Sequence, residues 1–235
     1  MTDSLFIRYR FDLPDGSAKT LELTFDASDF RMQKAAGIEA PFWTELGFSR
    51  CANCPLEELK NTHCPVALQM APAIEPLKAL VSFDVIGVTV TQAERTIYAR
   101  TTAQQAMSSV LGLIMATAGC PWTDHLRPMA RFHLPFASDA ETLYRSISMF
   151  LLAREMSGSE TRLGFAALED LYKNLHVVNR DMSRRLGAAT RTDPARNALA
   201  LLDSYTTLLP VALDGSFAEL KPLFDAWQTK ENTAI

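Results

Sequence analysis

Most features that announce a function are missing from this sequence. It has no apolar run of the ~18 residues that a membrane-spanning helix needs. Its most apolar stretch, AMSSVLGLIMATAG, is shorter than that and repeats with helical period. The opening residues, MTDSLFIRYRFDL, lack the basic, apolar and small-residue succession of a secretory signal, so the cytoplasm is the expected compartment. Glycine-rich phosphate loops, the GxSxG elbow and the HExxH pair are all absent, which leaves nucleotide-binding, hydrolase and zinc-protease readings without an anchor. Basic residues do not predominate: 23 Lys and Arg face 27 Asp and Glu, a net charge of −4. No nucleic-acid partner and no membrane partner are therefore expected.

Cysteine is scarce too, with four in 235 residues, and a reducing compartment disfavours a disulfide framework. What stands out is their placement. Three crowd into CANCPLEELKNTHCP, residues 51 to 65, and the fourth lies in GCPW at Cys120.

The remaining composition is ordinary for a globular chain, with 48% apolar and 21% charged residues. Leu5, Ile7, Tyr9 and Phe11 alternate with polar positions, PDGS supplies a turn, and Leu21, Leu23 and Phe25 alternate on the return. That pattern predicts a β-hairpin. A second strand pair is expected in ALVSFDVIGVTVT and RTIYART, with a bulge or bend at Gly87 where the alternation changes phase. The segment between the pairs reads as an irregular connection carrying the cysteines.

From about Thr102 the period becomes helical. Met107, Val110, Leu111, Ile114, Met115 and Ala118 share one face, and Gly119 and Pro121 end the helix, leaving Cys120 at its C-terminus. Ser138 and Glu141 form a capping box for a helix to about Met156. Further helices are expected from about Arg162 to Leu186, from Asp193 to about Leu209, and at the end, capped by Ser216 and Glu219. Strands first and helices afterwards predict one α+β domain over residues 1–235. It would be a small antiparallel sheet of two hairpins packed on about five helices, with any sub-boundary near residue 137.

The C-x2-C-x9-C spacing, completed by a distant Cys120, suits a tetrahedral thiolate set: Cys51, Cys54, Cys64 and Cys120 are the candidate metal and cofactor ligands. Zinc and an iron–sulfur cluster both use four cysteines. Pro55, Pro65 and Pro121 remove the backbone N–H that directly follows three of the cysteines, which counts against a zinc knuckle. Cys-Pro occurs in bacterial ferredoxin runs, although the spacing here is not theirs. His63, beside Cys64, is a second-shell candidate. The competing readings are a C-x-x-C redox pair, which would need a strand-to-helix setting, and plain burial of small apolar residues.

The segment CPWTDHLRPMARFHLPF carries Asp124, His125, Arg127, Arg131 and His133, residue types suited to ligand binding or proton transfer. Alternation of Arg131 and His133 with Phe132 and Leu134 predicts instead an extended segment with Arg131 and His133 on a solvated face. Arg180 and Arg184 share a helix face that could meet an anion, but nearby acids make a solvated helix end the simpler reading.

At GCPWTDHLRPMARFHLPFASDAETLYRSISMFLLA and NALALLDSY the chain resembles an uncharacterised family of bacterial proteins that carry the cysteine segment and the LRPMARFHLPFA block. The resemblance covers most of the chain and implies a bacterial origin, with no activity or catalytic residue to carry over. The expectation is a cytoplasmic protein with a cysteine-ligated iron–sulfur cluster or zinc, structural or redox in role. The alternative is a metal-free scaffold whose helical groove takes a protein partner.

Overall fold

A computed structural model describes residues 4–33, 40–158, 165–190, 193–214 and 220–228. Strands β1 (Ser4–Asp12) and β2 (Ala18–Asp26) form the first hairpin, with Arg8 opposite Glu22. Gly16, at φ +82°, closes the turn in a conformation that a side chain would strain. Strands β3 (Val85–Thr91) and β4 (Thr96–Thr102) form the second hairpin. β3 then pairs antiparallel with β1, so the sheet order is β2-β1-β3-β4.

Period-two alternation sends Ile7, Tyr9, Phe11, Phe25, Ile86, Val88 and Val90 to the buried face. Phe6, Arg8, Arg10 and Tyr98 stand on the other, solvent-facing side. The bulge expected at Gly87 is absent. Pairing runs unbroken through Gly87, opposite Asp12 on one side and Arg100 on the other. The apparent change of phase arises because residues before Val85 belong to a turn, not to the strand. Gly87 answers a steric need instead: a Cβ there would lie 3.2 Å from the Tyr98 hydroxyl.

The helices are α1 (Pro65–Ala73), α2 (Ala103–Thr117), α3 (Arg127–Arg131), α4 (Asp139–Met156), α5 (Ala166–Ala189), α6 (Asp193–Asp214) and α7 (Asp225–Gln228). The architecture is α+β, as the sequence pattern implies. α2 begins at the end of β4, where Thr102 accepts from the Gln105 amide, and lays Met107, Val110, Leu111 and Ile114 against the sheet. The capping box of Ser138 and Glu141 is present at α4. The Ser216–Glu219 cap falls outside the described residues. One buried cluster runs from the strands through α1 and α2 to Val178, Met182 and Leu186 of α5 and Ala198 of α6. A smaller one joins Ile147, Leu168, Tyr172, Leu175 and Leu209.

Two segments differ from expectation. Helix α1 lies inside the presumed irregular connection, opening at Pro65 with Cys64 as its N-cap. Its signal was legible, since proline at the first helical position is preorganised for the helix. The stretch from Asp124 to Arg131, expected as loop leading into an extended segment at Arg131–Leu134, is a helical turn followed by α3, so Arg131 ends a helix. In consequence Phe132 points outward, 70% exposed, and His133 is buried at 8%. Among the described residues no helix is long and apolar enough to cross a membrane.

Candidate functional site

The cysteines come from three parts of the fold. Cys51 and Cys54 lie in a tight turn in which the Cys54 amide donates to the Cys51 carbonyl at 3.1 Å. Cys64 caps α1 and is buried; Cys120 follows the end of α2, after Gly119 at φ +92°. The loop is fastened to α5 by donors that reach across: Ala52 N–H to Asp181 at 2.7 Å, and the Asn53 side-chain amide to Asn174. The Trp122 indole, beyond Cys120, donates to the Asn53 carbonyl at 2.7 Å. Loop, α2 terminus and α5 therefore meet at one place.

All four cysteines are free thiols. Burial pushes the Cys51 thiol up to about 12, reinforced by Cys64, Asp181, Cys120 and Cys54. Each of the other three sulfurs thus acts electrostatically on Cys51, and the four share one neighbourhood. They do not close further: among the described residues, no three His, Cys, Asp or Glu side chains are grouped so as to hold a metal ion.

Burial likewise raises Cys64 and Cys120, but backbone amides oppose it at both. At Cys64 these come from Ala67 and Val66, short of a closed capping bond; at Cys120 they come from Trp122 and Thr123. This corrects the argument from the prolines. Pro65 and Pro121 remove only the first amide after each cysteine, while the second and third still face the sulfur. The turn that proline favours is what aims them.

Positive charge surrounds these thiols. Arg50 donates to the Cys54 carbonyl at 3.0 Å and to the Leu56 carbonyl, and the Cys54 side chain beside it is the main cause of its raised pKa. Arg180 and Arg184 both pair with Asp181, whose side chain is wholly buried. Burial would raise the Asp181 carboxyl, but the Ala52 amide and the two arginines outweigh it and hold it below the ordinary value.

Arg185 is the residue that sequence reasoning missed. It is 1% exposed and donates only to backbone carbonyls, those of Trp43, Glu45 and Leu46. Its Nε is buried without a partner, and no carboxylate lies within ion-pair distance among the described residues. Its charge acts on Cys64. A buried guanidinium without a counter-anion is costly unless an anion completes the site.

His63, the second-shell candidate, is engaged by its neighbours. Its Nδ1 lies 2.9 Å from the Thr44 hydroxyl, and its backbone bridges Glu45. Of the loop residues after Cys120, Asp124, His125, Arg127 and Arg131 line one surface pocket, and His133 turns away from it. Asp124 pairs with Arg31 at 3.0 Å and Arg127 at 3.3 Å, and Arg131 with Glu94 at 3.6 Å. That pocket, of about 550 Å³, also takes in Asp29. His133 faces inward, with Nε2 2.5 Å from the Tyr9 hydroxyl and 3.4 Å from Ser109 Oγ. Burial drives its pKa down to about 3, so the ring is neutral.

Residues 7–225 match the model of a family described as a domain of unknown function (DUF6901), and the chain belongs to that family. The match takes in the cysteine segment and the LRPMARFHLPFA block. No curated protein and no solved structure matches the chain.

Proposed function

We propose that Cys51, Cys54, Cys64 and Cys120 ligate one metal centre that clasps the cysteine loop to the end of α2 and to α5. The observation that carries this reading is the buried charge of Arg185, held by three carbonyls and no carboxylate among the described residues, with its Nε unpartnered and its charge acting on Cys64. A centre of four thiolates around zinc or an iron–sulfur core has net negative charge, which is what Arg185 lacks; Arg50 already pairs with Glu58 at 3.3 Å. The amides facing Cys64 and Cys120 supply the donors that thiolate sulfur accepts.

An iron–sulfur cluster is the first assignment. What supports it is that proline follows Cys54, Cys64 and Cys120, as it follows a cysteine in bacterial ferredoxin runs. Zinc is the second assignment, reinstated by the amides that the prolines leave in place. When bound, either metal would hold the thiolates and secure the loop; a cluster would add electron transfer or redox sensing. A free C-x-x-C redox pair is less well supported, because its nucleophile needs a lowered pKa and burial raises that of Cys51.

Metal analysis with a visible spectrum, on protein purified with and without oxygen, tests the reading. Brown anaerobic protein containing iron and sulfide supports a cluster, and colourless protein with stoichiometric zinc supports the second assignment. Protein free of metal in both preparations overturns the proposal. In that event a partner-binding role is preferred, for which Leu151, Leu152 and Met156 leave an exposed apolar face on α4.

A further inference from the structure

A second region of the molecule has the makings of a ligand site independent of the thiols. A cavity of about 450 Å³ opens between α2, the α3 segment, α4, α5 and α6. That volume lies within the range of small-molecule sites. Its wall is largely apolar, with Leu113, Ala116, Met129, Leu175 and Leu202 among the residues that form it.

Two polar groups on this wall, the half-buried Arg145 and the buried Asn179, have hydrogen-bonding capacity that the protein leaves unused, and Arg100 of β4 adds an exposed cation to the lining. Arg145 donates through one nitrogen to the carbonyls of Met129 and Phe132 and has no carboxylate in ion-pair distance among the described residues. Glu141, one turn away on α4, is committed to the capping box with Ser138. Asn179 is 5% exposed, and its carboxamide makes no hydrogen bond among the described residues. By contrast Tyr172, also on the wall, is already bonded to Ser146. Neutral His133 is occupied by Tyr9.

Tyr172, which lies within electrostatic reach of Arg145, and Asn179 are seven residues apart on α5, about 10 Å along the helix axis. Leu175 lies between them. The wall thus presents a cation at one end, an unpaired amide at the other, and apolar surface between.

We infer that this cavity binds an elongated carboxylate, with its anionic end on Arg145, an aliphatic body along Leu175 and Leu113, and a hydroxyl or carbonyl on the Asn179 amide. The carboxylate gives the guanidinium a charge-assisted partner. The distal oxygen gives the Asn179 amide, which faces the cavity without a protein partner, a hydrogen bond.

Calorimetric titration of the full chain as purified with decanoate, decanol and ω-hydroxydecanoate tests this. Decanoate should bind at one saturable site, and decanol at least about tenfold more weakly, since a hydrogen bond to a charged group is lost. ω-Hydroxydecanoate should bind more tightly than decanoate, and Asn179→Leu should erase that preference while leaving decanoate bound. Arg145→Gln should weaken decanoate by about tenfold or more without affecting decanol. If the Arg145 variant does not fold, the wild-type comparison of decanoate with decanol is decisive by itself. Absence of saturable decanoate binding, or equal affinity for decanoate and decanol, overturns the inference. A preference for the hydroxylated chain that survives Asn179→Leu overturns the assignment of the distal end.

Discussion

The Tyr9–His133 cluster and the cysteine cluster are both built of buried titratable groups, and they are opposites. Tyr9, Ser109 and His133 form a closed set: a protonated phenol, a hydroxyl and a neutral imidazole lie within bonding distance of one another and need nothing more. Burial drives the Tyr9 phenol well above its ordinary value and drives His133 down, so both are held neutral. The cysteine cluster is open. Burial raises Cys51, Cys64 and Cys120 as well, yet the buried guanidinium beside them has no anion among the described residues, and its Nε has no partner. Burial of polar groups alone therefore does not mark a functional site. What separates the two is whether the charges and hydrogen bonds balance without a further component.

The largest expected effect breaks the open cluster outright. Cys64→Ala or Cys120→Ala should abolish metal retention, measured as metal per chain, whereas His133→Gln should leave it unchanged. Equal metal content in all three would dissolve the distinction.

Next in size is the pH dependence of stability, which runs in opposite directions at the two places. His133 has its folded pKa lowered from 6.5 to about 3, so its contribution is complete above pH 6.5 and is lost as pH falls towards 3. Cys51 has its folded pKa raised from 9.0 to about 12, so in metal-free protein its contribution is complete below pH 9 and is lost as pH rises towards 12. Each limb is on the order of a few kcal/mol, readable by denaturant titration across pH. His133→Gln should flatten only the acid limb, and a bound metal only the alkaline one.

Arg185→Met should lower metal affinity by roughly 10–100-fold, the range for groups that act on a ligand from behind. In the metal-free protein the same change removes an uncompensated charge, and three carbonyls lose their donor. Competition with a chelator separates the two effects. Tyr9→Phe should cost about 1–2 kcal/mol in thermal or denaturant unfolding, because His133 and Ser109 each lose a buried partner. The smallest effect is expected outside both clusters. Arg8 and Glu22 pair at 2.7 Å across β1 and β2 with both side chains about half exposed, and Glu22→Gln should change stability by less than about 1 kcal/mol.

The strands and the long helices were legible because each is encoded locally. Period two in residues 5–11 and 21–25, period 3.6 from Met107 to Ala118, and the Ser138–Glu141 cap each need only a short window. The cysteine spacing was legible for the same reason, and the break at Gly119 located Cys120. Arg185 was not read from RDMSRRLG, where it resembles its solvated neighbours. A trace existed, since Val178, Met182 and Arg185 fall at i, i+4 and i+7, placing an arginine on a buried stripe. His133 was misassigned because Pro128 starts a short helix, which resets the direction of the side chains after it. The cavity has no local signature at all: Arg145 and Asn179 meet its space only after four helices pack.

Native mass spectrometry of the anaerobically purified chain, compared with the same sample denatured in acid, tests the central claim most directly. The proposal predicts a native mass that exceeds the denatured mass by one iron–sulfur cluster or one zinc, with the excess missing in Cys64→Ala. Equal native and denatured masses in the wild-type protein, with its fold intact, would contradict it.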